Sequence, residues 1–65
     1  MCRNIKKLRQ PDRQPTQQEL EEAALQYVRK ITGYRKPSRA NAAAFDGAVA
    51  EISAVTRRLF QDLQQ

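Results

Sequence analysis

Residues 16–33 carry a complete set of signals for one amphipathic α-helix. Thr16 and Glu19 form a capping box, in which the threonine hydroxyl binds the backbone N–H at Glu19 and the glutamate reaches back. Gly33 stands where helices commonly end in a left-handed residue. Between them an apolar stripe recurs at the helical period, made of Leu20, Ala24, Tyr27, Val28 and Ile31. Start, face and stop agree, so the sequence predicts a helix over residues 17–32.

A second apolar stripe predicts a longer helix over residues 39–63, after the loop of residues 33–37. Ser38 is the expected N-cap, with Asn41 as the alternative. Gly47 interrupts the helix and either marks the close approach of another backbone or has no structural role. The stripe consists of Phe45, Ala48, Val49, Ile52, Val55, Leu59 and Leu63, and Phe60 widens it. No segment has the pattern of a β-strand, so we expect an all-α fold.

The short connection between the two helices favours an antiparallel hairpin. At the rise of an α-helix the two elements span roughly 24 and 38 Å, so the second helix overhangs by about 14 Å at its C-terminal end. The apolar residues there require cover. We expect it from Ile5 and Leu8 in residues 1–15, a short helix or an extended arm, and from a second subunit. The residues to be covered are Val55, Leu59, Phe60 and Leu63.

The hairpin also brings opposite charges together. The acidic first turns of the helix over residues 17–32 lie toward the half of the second helix that carries Arg57 and Arg58. Ion pairs between them are surface pairs, each worth about 0–1 kcal/mol, so they set orientation more than stability.

Length and cysteine content limit the means of stabilising this chain. Its 65 residues allow one small helical domain, and one cysteine with no histidine makes neither an internal disulfide nor a conventional zinc site. Small domains without these supports often gain a partner subunit, which favours a homo-oligomer. The sequence has no signal-peptide pattern and no apolar run near the roughly 20 residues of a membrane span. Because an unpaired thiol fits a reducing compartment, we expect a soluble cytoplasmic protein with no cofactor and no membrane partner.

Several segments together resemble one protein family. They are the opening MCRNI, residues 23–30 (AALQYVRK), residues 36–41 (KPSRAN) and the following Ala44 and Phe45. In this order they are similar to a family of short uncharacterised bacterial proteins that begin MCRNI. The resemblance covers nearly the whole chain. It implies a small intracellular bacterial protein and no particular activity.

The loop between the helices is the first candidate site. The chain has a net charge of +5, and cations gather around this loop beside Tyr34 and a predicted helix N-terminus. Free backbone N–H groups and positive charge suit a phosphate-bearing ligand or nucleic acid. The alternative is that these cations are simply solvated. The candidate anion-binding residues are Arg29, Arg35, Lys36, Ser38 and Arg39.

Cys2 is the second candidate site. If Met1 is removed, the α-amine and thiol of Cys2 are adjacent and can chelate a soft metal, or the thiol can form a disulfide between subunits. The cations Arg3, Lys6 and Lys7 favour the thiolate. The alternative is a small hydrophobic residue that packs beside Ile5.

Catalysis has little support in the sequence. The carboxylates of Asp46 and Glu51 do not share a helix face, and Ser53 and Thr56 have no histidine or other base nearby. We therefore expect a binding protein rather than an enzyme. A structural protein–protein adaptor is the remaining alternative.

Overall fold

Helix α1 spans Gln17–Thr32 in the computed structural model, which describes residues 7–9 and 12–63. The capping box forms as predicted: the Glu19 backbone N–H donates to Thr16 Oγ1 at 3.1 Å, and the Thr16 N–H donates to Glu19 Oε1 at 2.9 Å. The helix ends at Gly33, whose φ of 78° is left-handed and whose N–H donates to the Arg29 carbonyl at 2.8 Å. Both ends of α1 therefore match the sequence prediction.

Helix α2 spans Ala42–Asp62 and is preceded by a 3₁₀ turn, Arg39–Asn41. The predicted helix over residues 39–63 is thus divided, and its α-helical part begins three residues later. Ser38 and Asn41 occupy the N-cap positions of the turn and of α2, but neither side chain makes a capping hydrogen bond. The Asn41 N–H instead donates to the Ser38 carbonyl at 3.0 Å, the i→i+3 bond typical of a 3₁₀ turn.

The two helices pack against each other as an all-α hairpin, and the described part of the chain contains no β-strand. Gln17 at the start of α1 reaches Ser53 and Arg57 in the second half of α2, which makes the helices antiparallel. The buried apolar core is small and consists of Leu20, Ala24, Val28 and Phe45, and the hydroxyl-bearing Ser53 is buried beside it.

The apolar stripes are only partly used in this core. On α1, Tyr27 and Ile31 remain 44% and 62% exposed, and on α2, Val55 and Leu59 are each 52% exposed. A hairpin has one packing direction, whereas each stripe spreads around more of its helix than one neighbour covers. The hairpin therefore leaves apolar side chains on its surface.

The residues that pack over the C-terminal end of α2 are not the ones that we expected. Leu8 lines a small cleft with Glu19 and Gln26 on α1, so the prediction that it folds over the end of α2 is wrong. Ile5 lies outside the described residues. Pro15 is buried instead and lines a cleft with Leu20 and Phe60. Because α2 has 21 residues and α1 has 16, their lengths differ by roughly 8 Å and the overhang is shorter than predicted.

Within residues 7–9 and 12–63, neither helix combines the length and the hydropathy needed to cross a bilayer.

Candidate functional site

The hairpin turn forms a cationic surface at one end of the molecule, which we call the basic end. Its members are Arg29, Lys30, Arg35, Lys36 and Arg39, and all five are exposed. Residues 23–45 contain these five cations and no carboxylate. Of 12 lysines and arginines the remaining seven are balanced by seven aspartates and glutamates, so the basic end accounts for the net charge of +5.

The cations of the basic end have no partners within the described part of the chain. An ion pair joins Arg13 and Glu19 at the opposite end of α1, with 3.0 Å between Nη1 and Oε1. None of the five side chains forms a hydrogen bond or an ion pair with the residues that the structure describes. Their charges are therefore open to solvent and to a ligand.

The backbone at the start of α2 contributes less to this surface than the sequence predicts. The Asn41 N–H donates to the Ser38 carbonyl, and the Ala42 N–H donates to the Arg39 carbonyl. Two amides that an anion would use are thereby engaged within the turn. Ser38 is adjacent to Arg39, and only the Ser38 hydroxyl remains to contribute to anion binding.

The end of α1 places Tyr34 among the cations. Thr32 Oγ1 donates to the Val28 carbonyl at 2.7 Å and accepts from the Tyr34 N–H at 3.1 Å. The Thr32 hydroxyl thus links the last turn of α1 to the backbone of the loop. The Tyr34 side chain remains 46% exposed. Arg29 and Lys30 lie in the last turn of α1, where the negative end of the helix dipole stabilises positive charge.

A groove of about 650 Å³ between the helices is a second surface feature, and our sequence analysis missed it. Its floor is apolar, with Leu25, Val49, Ala50 and Ala54, and its rim carries the carboxylates of Glu21, Glu22 and Asp46. The signal in the sequence is the run of small residues on this side of α2, which leaves space beside α1.

A hydrogen-bond network closes one end of the groove. Gln17 Oε1 accepts from Arg57 Nε at 2.8 Å and also from Arg57 Nη2. Gln17 Nε2 donates to Glu21 Oε2 at 2.9 Å and to the buried Ser53 Oγ at 3.2 Å. Arg57 thus reaches the first turn of α1, as the charge pattern predicts, but its partner there is an amide and not a carboxylate.

The second candidate, Cys2, lies outside the described residues. Within the described ranges no group of three or more metal-ligating side chains comes together. The hypothesis of metal binding or redox sensing through Cys2 therefore stays a prediction from the sequence.

Comparison with known proteins assigns the family. A family model described as an uncharacterized conserved protein, DUF2277, matches residues 1–65. The chain belongs to the DUF2277 family. The resemblance based on the MCRNI opening and the two internal segments is thereby confirmed. No curated protein and no solved structure matches the chain.

The description of the DUF2277 family names no activity. The function that we propose for this member therefore rests on its own surface. The basic end and the groove are two surface features from which such a proposal can start.

Proposed function

We propose that this DUF2277 protein binds nucleic acid through the phosphate backbone, using the basic end. The observation that carries the proposal is the segregation of charge: five exposed and unpaired cations surround the hairpin turn, and residues 23–45 contain no carboxylate. An ordinary solvated surface mixes both signs of charge. A surface of one sign attracts a polyanion and raises its rate of association.

Binding of this kind has a measurable dependence on salt. Each phosphate that a lysine or arginine neutralises releases condensed counterions, so affinity falls as salt rises. If all five cations of the basic end contact phosphates, a plot of log K against log salt has a slope of about −3.5 for a single strand and −4.5 for a duplex. Fewer contacts give a proportionately smaller slope.

Tyr34 favours the single strand as the preferred form. Bases that are not paired can stack on an exposed aromatic side chain, and such stacking contributes about 1–3 kcal/mol per base. Tyr34 is 46% exposed and lies next to Arg35 in the loop. A duplex offers the same phosphates but keeps its bases stacked on each other.

Fluorescence anisotropy with labelled single-stranded and double-stranded oligonucleotides of equal length tests the proposal. The variant Arg35→Gln/Lys36→Gln removes two cations of the basic end and should reduce the magnitude of the salt slope by about 1.4 for the single strand and about 1.8 for the duplex. Its matched control is Lys7→Gln/Arg9→Gln, which removes one lysine and one arginine at exposed positions away from the turn. The control should retain the slope of the wild type.

Tyr34→Leu separates stacking from charge. It should weaken binding to the single strand and leave duplex binding unchanged. Absence of binding at low salt, or an equal loss in the two double variants, would contradict a site at the basic end.

We also propose that binding takes place in the cytoplasm, since a chain with one cysteine has no internal disulfide that requires an oxidising compartment.

A further inference from the structure

One side of α2 carries an apolar row that α1 covers only in part. We call it the α2 seam, and its members are Ala48, Ile52, Val55 and Leu59. Val55 and Leu59 are each 52% exposed, and Ala48 and Ile52 are half-buried. Tyr27 of α1, which is 44% exposed, also remains accessible. Large apolar side chains grouped on one side of a small protein often mark an interaction surface.

The spacing of the seam is that of a coiled-coil helix. Its residues are four, three and four positions apart, which is the alternation of a and d positions in a heptad. Ile52 and Leu59 follow the buried Phe45 by one and two heptads, so the seam adjoins the side of α2 that faces α1. Val55 lies farthest from that side, about 160° around the helix from the buried Ser53. Phe60 is about 100° around the helix from Leu59 and lines the cleft with Pro15 and Leu20. Of the four residues that we predicted from the sequence to join subunits, the seam therefore contains only Val55 and Leu59.

Charges beside the seam indicate the orientation of its partner. Glu51 and Arg58 occupy equivalent heptad positions one heptad apart, directly before Ile52 and Leu59. Both are exposed, and neither forms an ion pair with the residues that the structure describes. In an antiparallel pair of identical helices, such equivalent positions lie next to each other across the interface. Glu51 of each chain then meets Arg58 of the other.

We propose that the α2 seam binds a second copy of this chain, with the two α2 helices antiparallel about a two-fold axis. The axis passes between Ser53 and Ala54 along the sequence. Ile52 then packs against Val55 of the second copy, and Ala48 packs against Leu59 of the second copy. Small and large residues alternate across the interface, and two Glu51–Arg58 pairs flank it. The α1 helices complete a four-helix assembly.

The groove is a poor site for a second copy. A two-fold interface places the same surface patch on both sides. Pairing of two grooves would bring Glu21, Glu22 and Asp46 of one chain toward the same carboxylates of the other, and this repulsion opposes association. The seam instead presents opposite charges to itself in the antiparallel register.

Sedimentation equilibrium and light scattering of the full chain measure the proposed dimer. The wild type should be a dimer, and Val55→Glu should raise the dimer Kd by about a hundredfold, since two apolar contacts per dimer are replaced by charges. Ala54→Glu adds the same charge on the groove side of α2 and should leave the dimer Kd unchanged. Circular dichroism of each variant shows that the helices are retained. Dissociation by Ala54→Glu with an intact dimer in Val55→Glu would place the interface at the groove and overturn the proposal.

Charge reversal tests the register without altering the apolar contacts. Glu51→Arg and Arg58→Glu each place like charges together twice per dimer and should raise the Kd by about tenfold. The double variant Glu51→Arg/Arg58→Glu restores opposite charges and should recover the affinity of the wild type. If the two single effects instead add in the double variant, Glu51 and Arg58 do not meet across the two-fold axis. A wild type that stays monomeric at all accessible concentrations would also refute the dimer.

Discussion

Glu19 holds the first turn of α1 through three groups. Its Oε1 accepts from the Thr16 N–H and from Arg13 Nη1, and its Oε2 accepts from Arg13 Nη2 at 3.0 Å. The guanidinium of Arg13 and then the Thr16 N–H lower the pKa of Glu19 from its ordinary 4.5 to about 2, because both interact with the charged carboxylate. The capping box was predictable from the spacing of Thr16 and Glu19, but the reach of Arg13 across Pro15 was not.

This lowered pKa predicts the direction of the acid response. The folded chain holds the Glu19 carboxylate more strongly than the unfolded chain, so its contribution to stability is complete above about pH 4.5 and is lost as pH falls toward about 2. The free energy of unfolding in urea should therefore decrease over this interval in the wild type. In Glu19→Gln the decrease should be smaller, since the remaining carboxylates are common to both proteins.

Arg13→Gln provides the control for the cause of the shift. Removing the guanidinium should raise the pKa of Glu19, which is measurable from the chemical shift of its side-chain carboxyl carbon. An unchanged Glu19 pKa in this variant would show that Arg13 does not stabilise the carboxylate in solution.

The two helices differ in how completely the sequence determines their ends. For α1 the capping box, the apolar stripe and Gly33 all specify the same limits, and the predicted range of residues 17–32 is the observed one. For α2 both Ser38 and Asn41 are reasonable N-caps, and no local signal decides between them. Neither the Ser38 hydroxyl nor the Asn41 side-chain amide caps a helix, and a 3₁₀ turn forms between the two positions.

The basic end was predictable because its charged residues are close together in the sequence. The basic end follows from five cations around one turn, whereas the groove depends on which faces of α1 and α2 meet. The failed prediction for Leu8 has the same origin. Hydrophobicity predicted that Leu8 would be covered, but the direction of the chain before Pro15 decides which helix covers it.

Gly47 gives a test at the level of α2. It lies in the interior of the helix, is exposed, and has no atom within 4 Å of the position that a Cβ would occupy. Gly47→Ala should therefore raise the free energy of unfolding by about 1 kcal/mol, because alanine loses less backbone entropy in a helix. Chemical denaturation monitored by circular dichroism measures the change.

Gly33→Ala is the matched glycine substitution. Its surroundings are equally open, but its φ of 78° is unfavourable for a side chain, so this variant should be destabilised by about 1 kcal/mol. Equal effects of the two substitutions would show that backbone conformation does not distinguish the two positions. A loss of stability in Gly47→Ala would indicate that another backbone approaches this part of α2, which was the alternative left open by the sequence.

On the scale of the whole molecule, the buried core, the unpaired positive charge and the exposed apolar row lie in different parts of the hairpin. In the described part of the chain the buried apolar core consists of four residues, three of them on α1. The basic end lies at the turn, and the α2 seam lies along the second helix. The proposed nucleic-acid site at the turn and the proposed dimer interface along α2 therefore lie on different surfaces and share no residues.

A core of this size predicts that folding and the proposed self-association depend on each other. If the α2 seam buries Val55 and Leu59 in a dimer, unfolding releases two chains and its midpoint depends on mass action. Each tenfold increase in chain concentration then adds about 1.4 kcal/mol to the free energy that separates the dimer from two unfolded chains. Thermal unfolding of the wild type should shift to higher temperature as concentration rises.

Val55→Glu should remove this concentration dependence while keeping a cooperative transition. Its midpoint should equal the value that the wild type approaches on dilution, because the hairpin core of Leu20, Ala24, Val28 and Phe45 is unchanged. A wild-type midpoint that is independent of concentration would mean that this core alone carries the stability and that the exposed seam contributes nothing to it.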